Sequence, residues 1–153
     1  MIRARVALVL TCTLAGLAAG CGDDDDGGGG GSDAPTKAEY IKQGDQICRA
    51  GDKAIEQEGR QKFGAGGDPS KAQLIEFTEE TIVPNLEDQI TQLRELAAPD
   101  GDEDTLIGIW DAADEGTASI KDDPEQVVQG DSTAFDEANG LARDYGFKVC
   151  GED

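Results

Sequence analysis

Thr36–Ile55, TKAEYIKQGDQICRAGDKAI, is the stretch whose reading decides the fold. Thr36 and Glu39 stand three apart in the capping-box form, with Thr36 as N-cap and Glu39 at N3. Ile41, Gly44, Cys48, Gly51 and Ile55 then step by three and four residues, with Tyr40, Ile47 and Ala54 beside them. The spacing predicts an amphipathic helix of about 25 residues with Cys48 on its inward face. Gly44 and Gly51 each cost about 1 kcal/mol against alanine in a helix, and both lie on the inward stripe. The expected gain is close approach of a neighbouring helix, with a ligand slot as the sharper alternative.

C-terminal to this stretch, Gly64-Ala65-Gly66-Gly67 breaks the chain, and Asp68-Pro69 is read as a restart with proline at N1. Leu74, Ile75, Thr78, Ile82, Leu86, Ile90, Leu93 and Leu96 form a second helical pattern that ends at Ala98-Pro99. Pro84 interrupts it, removes one backbone donor and predicts a kink, which can line a pocket. Leu106, Ile109, Trp110, Ala113, Thr117 and Ile120 form a third stripe, with Asp102, Glu103 and Asp104 crowding its first turn. Asp123-Pro124 opens a short turn through Val127 and Val128 to Gly130. The last helix is expected from Asp131 or Ser132, with Phe135, Ala138, Leu141, Ala142 and Tyr145 inward. Gly146 follows where a left-handed cap is wanted, and Phe147 can fold back on the helix. The fold class expected is all-α: an up-down-up-down four-helix bundle over residues 35–153, closed by one disulfide.

N-terminal to the stretch, the chain changes character. Residues 1–20 read as a lipoprotein signal peptide: Arg3 and Arg5 precede the apolar run Val6–Leu17, which is too short to span a bilayer as a mature helix. Leu17-Ala18-Ala19-Gly20-Cys21 has the small residues and the cysteine of a lipobox. Cys21 is therefore the expected site of lipidation, by a diacylglyceryl group with palmitate-type chains. The expected location is the extracytoplasmic face of the cell membrane, in the cell envelope. Residues 21–34 are the acylated cysteine and a flexible acidic tether, GDDDDGGGGGSDA after Cys21. Those thirteen residues span about 20 Å as a coil and about 45 Å at full stretch.

Removing Arg3 and Arg5 from 13 basic residues leaves 11 against 33 acidic ones, so the mature chain carries a charge of −22. Such a surface repels phosphate backbones, which argues against nucleic acid as a partner and leaves cationic partners open. From residue 35 onward only 23 of 119 residues are Leu, Ile, Val or Phe, enough for one modest core. With Cys12 in the leader and Cys21 acylated, Cys48 and Cys150 are the remaining pair, and an exported chain meets oxidising conditions. A bridge between them would close about 100 residues and contribute on the order of 4–5 kcal/mol.

Tyr40-Ile41, Asp45 and Ile47-Cys48-Arg49-Ala50, paired with Tyr145-Gly146-Phe147 and Cys150-Gly151, resemble small secreted or lipid-anchored helical proteins of high-GC Gram-positive bacteria. The resemblance implies a disulfide-closed helical domain and no assigned activity, so it carries no catalytic residue over.

The chemistry signals are sparse. The chain has no histidine, which removes Ser-His-Asp triads and histidine-ligated diiron or haem sites. No phosphate-binding loop or dinucleotide fingerprint is present, and no cofactor is expected. Acid pairs such as Glu79-Glu80 or Asp111 with Asp114 are too common here to be diagnostic. The nearest thing to a metal motif is Asp100, Asp102 and Asp104, which match the opening of a calcium loop with Asp111 at its twelfth position. Thr105 stands where that loop needs glycine, and the segment already reads as helix. The function expected is a non-enzymatic, membrane-anchored binding module for an unknown protein or small ligand. The alternative is a small carboxylate-based hydrolase or divalent-cation-handling protein.

Overall fold

The computed structural model describes residues 34–130 and 133–152, and all regular structure among them is helical. The leader, Cys21, most of the tether and the expected helix start at Asp131 or Ser132 lie outside the described residues.

Helix α1, Lys37–Phe63, opens on the predicted capping box. Thr36 Oγ1 accepts the Glu39 N–H at 3.3 Å, and Glu39 Oε2 accepts the Thr36 N–H at 2.9 Å. The Thr36 N–H, and the Thr36 hydroxyl donating to the same Oε2 at 2.7 Å, favour the charged carboxylate and hold Glu39 below its ordinary pKa. The helix ends where Gly64 takes φ 79°, a conformation that favours glycine. Tyr40, Gly44, Asp45, Cys48 and Gly51 form its buried face.

The second helical stretch departs from expectation at both irregular points. Its α2 portion, Lys71–Phe77, is capped by Ser70 in a reciprocal box with Gln73, so Pro69 precedes the cap rather than occupying the first helical turn. The serine oxygen and the glutamine side chain satisfy two of the end donors. Ahead of Pro84 the chain runs as a five-residue π segment, Thr78–Ile82, before α3, Val83–Glu95. The Val83 N–H reaches back to the Thr78 carbonyl. A proline has no N–H to return to the carbonyl four residues back, and its ring crowds that oxygen. Widening the preceding turn relieves the conflict, and Thr78 Oγ1 adds a bond to the Leu74 carbonyl at 3.0 Å.

Helix α4, Glu103–Asp122, follows the third stripe and buries Leu106, Ile109, Trp110, Thr117 and Ile120. The short α5, Glu125–Gln129, ends at left-handed Gly130. Helix α6, Asp136–Tyr145, buries Ala138, Ala142 and Tyr145. Leu141, expected inward, is 39% exposed, because the buried stripe runs 138, 142, 145 and leaves it on the flank. Gly146 adopts φ 121°, and both its N–H and that of Phe147 reach the Ala142 carbonyl. Phe147 thereby folds back into the core at 1% exposure. Its ring centroid lies 5.4 Å from Tyr145, 5.5 Å from Trp110 and 6.1 Å from Tyr40. Burying a phenylalanine contributes about 1.5–3 kcal/mol, and ring pairing adds to it. The core gathers these rings with Ile90, Leu93, Leu106 and Ile109.

Cys48 and Cys150 are bridged across 102 residues, with Cα atoms 5.3 Å apart. One turn before Cys48, the buried Asp45 accepts the N–H groups of Lys148, Val149 and Cys150. The tail is thus fixed twice, by a covalent bond and by a carboxylate.

Candidate functional site

The glycines on the inward face of α1 meet side chains rather than an open slot. A Cβ on Gly44 would lie 2.5 Å from the Phe147 ring, and one on Gly51 would lie 2.1 Å from the Gln89 amide. Their bareness makes room for Phe147 and for α3.

The acid pairs are surface features. Arg94 bridges Asp111 and Asp114, each at 2.7 Å, and these bonds raise its already high pKa. Lys62 bridges Glu76 at 2.9 Å and Glu80 at 3.2 Å. Of the calcium candidates Asp100, Asp102 and Asp104, Asp102 accepts the Tyr145 hydroxyl at 2.7 Å beside the N-terminus of α4. No group of three or more acids or cysteines is placed to hold a metal ion among the described residues.

An apolar concavity lies beside the π segment, at the half of α1 remote from the disulfide. Phe63, Leu74, Phe77, Ile82, Val127 and Val128 line about 380 Å³. Phe63 and Phe77 pack edge to face at 5.3 Å, and Gly59 leaves α1 bare where Phe77 lies. The sequence builds this groove in three steps. Pro84 enforces the wide turn, which turns Thr78 and Ile82 onto the α1 side. Gly59 then removes the side chain that would fill the gap. Finally α5 brings Val127 and Val128 across, fastened by Lys71 to Glu125 at 2.6 Å. Its volume is within the usual range of small-ligand sites, and π segments are frequent at functional sites.

Two other concavities have some chemical content. One, of about 240 Å³, lies between Tyr40, Leu93, Arg94, Ile107 and Trp110, with Ile107 half exposed. Tyr40 donates to the Leu93 carbonyl at 3.2 Å, and burial raises its pKa. The Trp110 N–H works against that rise but makes no hydrogen bond of normal geometry. The other, of about 360 Å³, is lined by Asp136 and Glu152 with Ile120, Val127 and Phe135. Glu152 also acts on Asp52, whose carboxyl is raised first by burial and then by this like charge, against Arg49.

Two features escaped the sequence reading. Asp45 carries a signal, an acid on the inward stripe three residues before a cysteine. The π segment carries a subtler one, a threonine six residues before an internal proline. No helix among the described residues is long and apolar enough to cross a membrane. Comparison with known proteins returns no matching family model, no matching curated sequence and no matching solved structure.

Proposed function

We propose that the protein is a membrane-anchored, extracytoplasmic lipoprotein whose helical domain is a non-enzymatic binding module. The observation that carries the binding reading is the apolar groove beside the π segment, since Phe63, Phe77 and Ile82 gather there outside the main core. The leader and the lipobox at Cys21 support the anchor. The packing of α1 on α3, α3 on α4 and α4 on α6 supports an up-down-up-down arrangement of four principal helices. The paired signatures around Cys48 and Cys150 support grouping the chain with small envelope proteins of high-GC Gram-positive bacteria.

Titration with the uncharged dye Nile red tests the groove. Saturable fluorescence enhancement, lost in Ile82→Glu, is the expected result; equal enhancement in both proteins, or none in either, contradicts the reading. Fatty-acid labelling tests the anchor, which fails if Cys21→Ala still incorporates label.

A second reading, carboxylate-based hydrolysis or divalent-cation handling, rests on the concavity shared by Asp136 and Glu152. Asp136 also has a structural role, in the first turn of α6 where the helix dipole favours an anion. Calcium binding or ester turnover abolished by Asp136→Asn with Glu152→Gln would favour this reading over the first.

A further inference from the structure

We propose that the C-terminal segment 146–151 seats itself without the disulfide and thereby holds the Cys48 and Cys150 thiols together. Asp45 is the positioning residue that lets a small disulfide reagent close the bridge.

Each residue of the segment is held by something other than the bridge. The N–H groups of Gly146 and Phe147 reach the Ala142 carbonyl at 3.1 and 3.0 Å. The Phe147 ring is buried among Tyr40, Trp110 and Tyr145. Lys148 donates its N–H to both Asp45 oxygens, and Val149 and Cys150 donate theirs to Oδ1. Beyond the cysteine, Arg143 Nη1 donates to the Gly151 carbonyl at 2.9 Å, and a Cβ on Gly151 would lie 2.8 Å from the Arg143 side chain. Reduction touches none of these groups.

Asp45 sets the register. It is 8% exposed, and a carboxylate so buried needs donors. Three of them are consecutive main-chain N–H groups, the last belonging to Cys150 itself. Asp45 stands one helical turn before Cys48 on α1, so a tail seated on the carboxylate brings Cys150 beside Cys48, with Cα atoms 5.3 Å apart. In an unfolded chain 102 residues separate the two thiols, and bringing them together costs loop-closure entropy. A docked tail has met that cost before any sulfur reacts, which raises the effective concentration of one thiol at the other.

The chemistry is thiol–disulfide exchange with a small disulfide such as oxidised glutathione. Cys150 is half-buried and Cys48 buried, so the reagent meets Cys150 first. The Cys150 thiolate attacks the reagent's S–S bond and releases one reagent thiolate. The Cys48 thiolate then attacks the Cys150 sulfur of the mixed disulfide, forming the bridge and releasing the second. Two electrons pass to the reagent, and the two thiol protons end on its two thiols.

The test equilibrates the full chain in mixtures of reduced and oxidised glutathione, followed by alkylation. Peptide masses then read Cys48 and Cys150 apart from Cys12 and Cys21. The effective thiol concentration should fall about tenfold in Asp45→Asn. Arg143→Leu, which frees Gly151, should lower it as well, so that one misfolded variant does not decide the outcome. Val83→Ala, a loss at a buried site outside the main core, should leave it unchanged. Trp110 is the one tryptophan of the chain, 5.5 Å from the Phe147 ring, and should keep its buried emission in the reduced protein. Equal values in the parent and both tail variants would overturn the proposal. A fall in Val83→Ala as large as in Asp45→Asn would overturn it in favour of general stability. Emission of a solvated indole on reduction would also overturn it, since the bridge would then be what seats the tail.

Discussion

Asp45 Oδ1 accepts the backbone N–H of Val149 at 2.8 Å, across 104 residues of sequence. The same carboxylate takes Lys148 at 3.1 Å and Cys150 at 3.3 Å, one helical turn before the cysteine that Cys150 bridges. Asp45→Asn presents an amide with one acceptor and one donor group to a cluster that only donates. Charged hydrogen bonds contribute about 1.5–3 kcal/mol each and are not additive, so unfolding in urea should show a loss of about 2–4 kcal/mol. A loss under 0.5 kcal/mol would mean the tail is held without the clamp.

Reduction, or Cys150→Ser, should cost about 2–5 kcal/mol, the chain-entropy value for a loop of this length lying near the top of that range. Because Asp45 and the bridge restrain the same segment, Lys148–Cys150, the two losses should not add. A double variant that loses the full sum would show that they act independently.

Both inward glycines of α1 should resist alanine. In Gly44→Ala the new Cβ meets Phe147, a ring fixed among Tyr40, Trp110 and Tyr145, and overpacking of this kind costs about 1–3 kcal/mol. In Gly51→Ala it meets the Cγ, Cδ and amide of the buried Gln89 at 2.7 Å or less, so the side chain must move and give up its bond to Asn85, a cost that outweighs the up to about 1 kcal/mol of helix propensity alanine regains. Thermal melts should place both variants below the parent; an unchanged or raised Tm in either would contradict the packing.

Tyr40 and Tyr145 are the two tyrosines of the chain, and both phenols are raised above their ordinary pKa. Burial is the main cause in each, and at Tyr145 the bond to Asp102 adds to it. A raised phenol stabilises the fold below the unfolded pKa near 10, and that contribution is lost as pH rises toward the folded value. Ultraviolet titration should therefore show phenolate absorbance appearing together with alkaline unfolding by circular dichroism. A phenol titrating near pH 10 in a still-folded chain would refute this.

Helix order was legible because Thr36 with Glu39, the breaks at Gly64–Gly67 and the return of Phe147 past Gly146 are local signals. The Cys48–Cys150 pair followed from counting thiols. Asp45 was not legible as a clamp, because its partners are main-chain groups a hundred residues away and any acid in so acidic a chain looks solvated. Leu141 misled for the opposite reason: an apolar residue was assigned inward although α6 turns only Ala138, Ala142 and Tyr145 to the core. Pro84 announced an irregularity without its form, since a kink and a π segment both relieve the same missing donor. The groove followed from that form, from Gly59 and from the position of α5, and so it was not legible either.

Methyl-resolved NMR of the isotopically labelled protein, titrated with Nile red, tests the account most directly. The predicted result is saturable shifts confined to Ile55, Leu74, Ile82, Val127 and Val128, with Ile90, Leu93, Leu106 and Ile109 of the main core unmoved. Shifts centred on the core methyls or on the exposed Ile107 and Leu141, with the groove methyls silent, would contradict it.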